Sequence, residues 1–357
     1  MYIKLYHFQQ VLNYKPSQNI VGIPKIIRNT IYLLGLSAIF ISPVAAREVQ
    51  ISQISSTMAE TYIAQTTAED FLRRGVQKLE IGNLPGAIED FNQAITTDPN
   101  SASAYSNRGQ AYVLQGEIQK AINDFNQAIE IAPNSFIYYN NRGLAYLKRG
   151  NFEGAIADFT TAIDMNSNFA IIYNNRGFAH LQAGNFPDAI ADFNRTLEID
   201  PNDAMAYKNR GFTRLLQGNM QQAISDFKQS IELNPNDISA YQARGIANLK
   251  QGNIQDAISD FNQVIQFDPN YAQAYANRGA IHLQQDDIQQ ALSDLNKAIE
   301  INPNYASAYY HRGIARVQLG NEEEAIADLQ NAVDLSRQQG DRTLYQLSID
   351  QIQMLQQ

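Results

Sequence analysis

Residues 138–151 read YYNNRGLAYLKRGN, and the Asn-Arg-Gly triplet in this stretch belongs to a series. Arg-Gly pairs recur every 34 residues, with no insertion or deletion. A fixed period of about 20 to 50 residues indicates a solenoid, in which each repeat buries its apolar side against its neighbours. The pairs are Arg74-Gly75, Arg108-Gly109, Arg142-Gly143, Arg176-Gly177, Arg210-Gly211, Arg244-Gly245, Arg278-Gly279 and Arg312-Gly313.

Each 34-residue unit, numbered from position 1, is predicted to contain two helices. Apolar residues at helical spacing cover positions 1 to 14, a glycine turn follows at position 15, and a second helix covers positions 18 to 30. Residues 340–357 are predicted to form a helix that caps the last repeat. The predicted repeats are 68–101, 102–135, 136–169, 170–203, 204–237, 238–271, 272–305 and 306–339.

The repeated side chains resemble those of the tetratricopeptide repeat. In the third unit, Tyr139, Gly143, Ala155, Phe159 and Ala162 stand at positions 4, 8, 20, 24 and 27. The resemblance covers all eight units, about three quarters of the chain. It implies an all-α, right-handed superhelical solenoid of helix-turn-helix repeats, in which the first helix of each pair lines the concave face.

Some positions depart from this pattern, which puts the local packing in doubt. Asp286 replaces the glycine at position 15. Thr196, Ser230 and Val264 replace alanine at position 27. Polar residues occupy the usually aromatic or aliphatic position 11 in six units: Lys78, His180, Arg214, Asn248, His282 and Arg316.

The arginine at position 7 is predicted to form a structural ion pair. Position 23 is aspartate in every unit, nearly level with position 7 across the helical hairpin. Arg142 with Asp158 and Arg176 with Asp192 are the examples in the third and fourth units. The spacing leaves open whether each arginine pairs with the aspartate of its own repeat or of the adjacent one.

The asparagine at position 6 is predicted to face the groove, because it lies opposite the packed position 4. By resemblance to the tetratricopeptide superhelix of the O-linked N-acetylglucosamine transferase family, this row would hold the backbone of an extended polypeptide. A solvated polar row is the alternative. The predicted peptide-binding residues are Asn107, Asn141, Asn175, Asn209 and Asn277, with Phe178 and Phe212 as apolar neighbours that could instead serve only in packing.

Residues 1–46 are predicted to be a signal peptide. Basic residues precede an apolar run at 31–42, and Val44 and Ala46 suit a signal-peptidase site before Arg47. Export to the periplasm or an equivalent compartment, with cleavage near Ala46, is therefore expected. An uncleaved N-terminal membrane anchor through residues 29–46 is the alternative. Residues 47–67 are interpreted as a polar linker.

Composition excludes several classes of function. The chain has a net charge of −9, and removing residues 1–46 would leave about −13, which disfavours nucleic-acid binding. There is no cysteine, and the sequence has no phosphate-binding glycine loop, zinc helix or nucleophile elbow. No catalytic residue, metal site or cofactor is therefore predicted.

Two functions remain. The first is a non-catalytic scaffold or adaptor that binds an extended protein or peptide partner in its concave groove. The second is an accessory subunit of an exported enzyme, or of a polysaccharide or assembly machine, whose catalytic part is another chain. Chaperone-tail binding is not supported, because position 9 lacks the asparagine of the family's carboxylate clamp in every unit.

Overall fold

The computed structural model describes residues 67–356, and this part of the chain is helical without strands. It divides after Pro201 into two compact units. The predicted N-terminal signal or anchor and nearly all of the predicted linker lie outside the described residues.

The first unit contains four pairs of antiparallel helices. In each pair a first helix packs on the second helix, and that second helix packs on the first helix of the next pair. The helices are α1 (Ala68–Glu80), α2 (Leu84–Thr97), α3 (Ala102–Gln115), α4 (Ile118–Ile131), α5 (Phe136–Arg149), α6 (Phe152–Met165), α7 (Ala170–Ala183) and α8 (Phe186–Ile199).

The second unit contains four further pairs and one final helix. Its second helices begin at position 17 of the repeat, one residue earlier than the sequence pattern predicts, as they do in the first unit. The helices are α9 (Ala204–Leu216), α10 (Met220–Leu233), α11 (Ile238–Gln251), α12 (Ile254–Phe267), α13 (Ala272–Gln284), α14 (Ile288–Ile301), α15 (Ala306–Gln318), α16 (Glu322–Gln339) and α17 (Arg342–Leu355).

The glycine at position 8 permits the close contact inside each pair. A Cβ atom added at Gly143 would lie 2.7 Å from the ring of Phe159, closer than real side chains approach. Phe159 is completely buried at the centre of this contact. The last two repeats keep the glycine but carry Leu295 and Leu329 in place of phenylalanine. The helix-helix distance is thus set by a missing side chain on one helix and a large one on the other.

In the turn between the two helices, the residue at position 15 adopts the left-handed backbone conformation. Gly150 has φ of 80° and ends α5. Asp286 adopts the same conformation, with φ of 62°. Aspartate is one of the few residues that tolerate this region of backbone space, so its replacement of glycine leaves the turn intact.

Two of the residues that replace alanine at position 27 form a hydrogen bond within their own repeat. Thr196 Oγ1 donates to the carbonyl of Ala170, at 3.3 Å, and Ser230 Oγ donates to that of Ala204, at 2.9 Å. Both acceptors open the first helix of the repeat, so the hydroxyl ties the end of one helix to the start of the other.

The position-7 arginine pairs with the aspartate of its own repeat. Arg142 Nε and Nη2 donate to the two carboxylate oxygens of Asp158, each at 2.7 Å. Arg176 forms the same bidentate pair with Asp192, at 2.9 and 2.7 Å. The structure therefore distinguishes between the two arrangements that the sequence leaves open.

The third guanidinium nitrogen reaches back to the preceding repeat. Arg142 Nη1 donates to Asn126 Oδ1 at 2.7 Å, and Arg176 Nη1 donates to Thr160 Oγ1 at 3.1 Å. Both acceptors occupy position 25 of the repeat before. The same bond joins Arg108 to Asn92, Arg278 to Asn262 and Arg312 to Asn296. One side chain thus links the helices of its own repeat and joins that repeat to the previous one.

Most of the polar residues at position 11 lie beside the position-23 aspartate of their own repeat and interact with its carboxylate. Arg214 and Arg316 each place Nη1 2.6 Å from the second oxygen of their repeat's aspartate, and Lys78 Nζ lies at 2.7 Å. Asn248 donates to Asp260 Oδ2 at 3.2 Å. His180 and His282 lie farther away, at 4.0 and 3.9 Å. These departures from an aromatic or aliphatic residue supply extra donors or nearby polar groups to a buried acid.

Burial makes the aspartate dependent on its arginine. Desolvation raises the pKa of Asp158, and hydrogen bonds from Arg142 oppose that shift. The hydrogen bonds to Asp158 in turn raise the pKa of Arg142. Removing the arginine would leave a desolvated carboxylate without its bidentate partner, which is far costlier than losing an exposed ion pair.

The final helix packs on the last repeat, which contains two buried titratable side chains. Tyr310 packs against Leu344 of α17, and burial raises the pKa of Tyr310 to about 12. His311 is 8% exposed, its ring centroid lies 5.3 Å from that of Tyr310, and burial lowers its pKa to about 4. Within residues 67–356, none of the helices combines the length and the apolar character needed to cross a membrane.

We expect Arg176→Ala to lower the free energy of unfolding by about 3 kcal/mol, because it strands the buried Asp192 and removes the link to Thr160. Urea denaturation measures the change. Arg195→Ala is the matched control, since that arginine is 45% exposed and pairs with an exposed glutamate. The control should leave stability nearly unchanged, and an equally small effect of Arg176→Ala would contradict the structural role.

We expect the free energy of unfolding to fall between pH 6.5 and pH 4 through His311. Its pKa is about 6.5 when unfolded and about 4 when folded, so the unfolded state binds more protons in this window. His311→Asn should therefore remove about 2 kcal/mol of the loss between pH 7 and pH 4.5. Denaturation at both pH values tests this, and an identical pH profile for the variant would refute the assignment.

Candidate functional site

The residues predicted to bind a partner lie on one side of the first helices. We call this side the first-helix face and define it by repeat positions 2, 5, 6, 9 and 13. In the first unit, α3 lies against α5 and α5 against α7. In the second unit, α9 lies against α11 and α13 against α15. Side chains at these positions therefore adjoin those of the neighbouring repeats within each unit.

Most of the predicted asparagine row is buried. Asn107, Asn141, Asn175 and Asn209 are at most 5% exposed. The expectation that these side chains face an open groove is therefore corrected: they lie between packed helices, where position 6 is covered by the adjoining first helices. Asn277 is partly exposed.

Hydrogen bonds in the first unit use these amides to join successive helices. Asn175 Nδ2 donates to Asn140 Oδ1 at 3.1 Å, and Asn141 Nδ2 donates to Ser106 Oγ at 3.4 Å. Each donor stands at position 6 and each acceptor at position 5 of the preceding repeat. Asn107 Nδ2 instead donates to the carbonyl of Ser103 in its own helix, at 2.8 Å. The row thus has a packing role in this unit, and its binding of a polypeptide stays a prediction.

Other amides on the same face have buried atoms without a hydrogen-bond partner. In the first unit these are Nε2 of Gln110 and Nε2 of Gln182. In the second unit they are Nδ2 of Asn277 and both polar atoms of Gln242. Gln110 is 5% exposed and Gln242 is 3% exposed. A buried polar group left unpaired costs about 1–3 kcal/mol, so these amides are the unsatisfied part of the face.

Gln110, Gln182 and Gln242 are not among the peptide-binding residues predicted from the sequence. A signal was available for Gln110 and Gln182, because their positions 9 and 13 lie within about 60° of position 6 on a helix of 3.6 residues per turn. Gln242, at position 5, lies about 100° from position 6 and gave a weaker signal. The repeated asparagine is confined to position 6, where Ala243 interrupts it between Asn209 and Asn277. Only the packing separates amides that the protein pairs from amides that it leaves unpaired.

The two predicted phenylalanines pack within their own units. Phe178 lies against the core cluster that contains Phe159 and Ile172. Phe212 makes an edge-to-face contact with Phe227, with ring centroids 5.2 Å apart. Both remain partly exposed, so each combines a packing role with some accessible apolar surface.

The charged side chains of the described residues are arranged in pairs and not in metal-binding clusters. Among residues 67–356, no group of three or more His, Asp and Glu side chains is arranged to hold a metal ion. The buried aspartates of the repeats pair with arginine, as described above, and the buried Lys208 pairs with Asp237. The features that this face offers to a partner are hydrogen-bonding amides and apolar surface.

Family models match most of the repeats. Together the matched segments cover about three quarters of the chain. A model described as tetratricopeptide repeat matches residues 140–204, a second so described matches 177–244 and 278–346, and one described as TPR repeat matches 77–116, 109–150 and 249–286.

Two known proteins that are similar in sequence or structure are also named as tetratricopeptide repeat proteins. The chain is 50% identical over 42 residues to tetratricopeptide repeat protein 36 of Danio rerio, a match that spans 12% of this chain and 22% of that protein. A tetratricopeptide repeat protein from Parabacteroides merdae has a similar structure, with a TM-score of 0.56 and 21% identity, over 70% of this chain and 99% of that one.

The APC/C hetero-tetramer Cut9-Hcn1 contains another similar chain. Its TM-score is also 0.56, at 16% identity, and the match covers 81% of this chain and 54% of that one. At this level of identity the solved structures establish the fold and nothing more. The family-model matches across the repeats show that the chain belongs to the tetratricopeptide repeat family, a helical-repeat fold that supports protein interactions.

Proposed function

We propose that this protein is a non-catalytic scaffold that binds an extended polypeptide on its first-helix face. The observation that carries the proposal is the set of buried, unpaired amides at Gln110, Gln182, Gln242 and Asn277. Tetratricopeptide repeat proteins generally act as scaffolds for other proteins, which gives this chemistry a natural partner class.

A polypeptide backbone suits these amides. An extended chain presents N–H and C=O groups in alternation, and a carboxamide can both donate and accept. Gln242 has Nε2 and Oε1 both buried and unpaired, and a turn of its side chain toward the surface would let it make one bond of each kind to a single peptide unit. Such bonds would recover the cost of the unpaired groups and would not depend on the partner's side chains.

The apolar surface beside the amides supports the same partner. Phe178 and Phe212 are partly exposed at position 9, in the fourth and fifth repeats. Ile137, Ile171 and Met205 are partly exposed at position 2. Within either unit, alternate side chains of an extended ligand could pack on that unit's apolar residues while its backbone bonds the amides.

We expect Gln242→Leu to weaken polypeptide binding without destabilising the protein. The probe is a set of dodecapeptides selected on the wild-type protein from a random phage-displayed library. Binding, measured by fluorescence anisotropy, should weaken about tenfold, a loss of about 1.4 kcal/mol. The free energy of unfolding should stay constant or rise by about 1 kcal/mol, because leucine replaces an unpaired amide with an apolar group of similar size.

Asn141→Leu is the matched control for that experiment. Its amide donates to Ser106 and accepts from Asn140, so its loss should lower the free energy of unfolding by about 1–3 kcal/mol. A Gln242→Leu variant that loses stability and keeps its affinity would show that the amide is structural. That result would contradict the proposed function.

We further propose that the protein is exported and that residues 1–46 are removed. The support is the sequence alone: a basic segment, an apolar run, and Val44 and Ala46 before Arg47. N-terminal sequencing of protein from its native host should give a chain that starts at Arg47. A chain that starts at Met1 would contradict cleavage and would favour anchoring through residues 29–46.

A further inference from the structure

Position 13 of the first helix carries an ordered triad that occurs twice. In the first unit it is Leu114, Lys148 and Gln182, on three successive repeats. In the second unit it is Leu216, Lys250 and Gln284, in the same order and 102 residues later. Position 13 is not among positions 4, 8, 20, 24 and 27, which carry the repeat pattern, so that pattern does not prescribe these residues.

Every side chain of both triads can be reached from outside. Leu114 is 53% exposed, although it is a large apolar residue. Lys250 and Gln284 are exposed, and the other three are partly exposed. Position 13 lies about 20° from position 6 around the helix, so both triads belong to the first-helix face.

The two lysines have no anionic partner in the described part of the chain. No carboxylate lies within ion-pair distance of Lys148 or Lys250 there, whereas Lys208 on the same face is 2.7 Å from Asp237. Each triad thus has an unneutralised cation at its centre, on a protein whose net charge is negative.

The spacing of the repeats indicates the ligand that would fit. Packed helices lie about 8–10 Å apart, and an extended chain advances about 3.3 Å per residue. Successive triad members would therefore meet ligand side chains about three residues apart. Leucine suits an apolar side chain, lysine a carboxylate, and glutamine a hydrogen-bonding group.

We propose that each unit binds one extended polypeptide segment with an apolar, an acidic and a polar side chain at intervals of about three residues. One protein molecule would then hold two such segments through equivalent contacts. This inference rests on the proposed function and adds to it the chemical class of the partner and the number of sites.

The probe is the heptapeptide Leu-Ser-Gly-Asp-Ser-Gly-Asn, tested also with its sequence reversed, because the direction of binding is not specified. Isothermal titration of the full-length protein should give a stoichiometry of two for the better-binding direction. Lys148→Glu or Lys250→Glu should weaken binding about tenfold at the substituted site and leave the affinity of the other site unchanged. The double variant should bind the peptide about tenfold more weakly at both sites. A peptide with lysine in place of its aspartate should bind about tenfold more weakly to the wild type.

Lys120→Glu and Lys228→Glu are the controls for charge. They make the same change on exposed lysines of second helices, which pair with Glu117 and Glu232. These control variants should keep both sites. All four single variants should melt at the wild-type temperature. A stoichiometry of one, or equal affinity for the aspartate and lysine peptides, would overturn the inference.

The random library separates this inference from the proposed function. If selected peptides bind and depend on Gln242 but show no preference for an acidic residue, the proposed function stands and the inference fails. If no peptide is selected at all, the proposed function fails with it. An acidic residue enriched on the wild type, and not on the double lysine variant, supports the inference.

Discussion

A single arginine in each repeat makes contacts in three directions, and the stack of helices depends on it. Its guanidinium forms a bidentate pair with the aspartate of the same repeat, as Arg142 does with Asp158. In most repeats it also bonds the residue at position 25 of the repeat before, and it lies about 5–6 Å from the tyrosine ring at position 4. Because guanidinium is planar and has five donors, one side chain can satisfy all of these contacts, and a lysine could not.

Some repeats depart from this set of contacts, and hydrogen-bonding chemistry explains the departures. Arg244 pairs with Asp260, but the residue at position 25 of the repeat before it is Lys228, which has donors only and cannot accept a bond. Where position 11 is basic, as at Arg214 and Arg316, the aspartate gains a second cation. A buried carboxylate needs several donors, and the repeats supply them from different positions.

This arrangement frees part of the first helix for contacts with a partner. The packed side, with its glycine and aromatic pairs, holds the hairpin together. On the other side, Asn141 and Asn175 at position 6 form hydrogen bonds between repeats. Gln110, Gln182, Gln242 and Asn277 retain unpaired atoms. Residues of the same chemical type thus divide into structural and available groups according to whether a neighbour reaches them.

The sequence by itself determined the period, the two helices of each repeat, the glycine that permits close packing and the positions of arginine and aspartate. These follow from local rules: helical spacing, turn residues and the volume of side chains repeat with every unit. Only the tertiary structure decided that each arginine pairs within its own repeat, and which amides are buried and bonded. Those outcomes depend on distances between helices that are far apart in sequence, where a few ångströms separate a paired amide from an unpaired one.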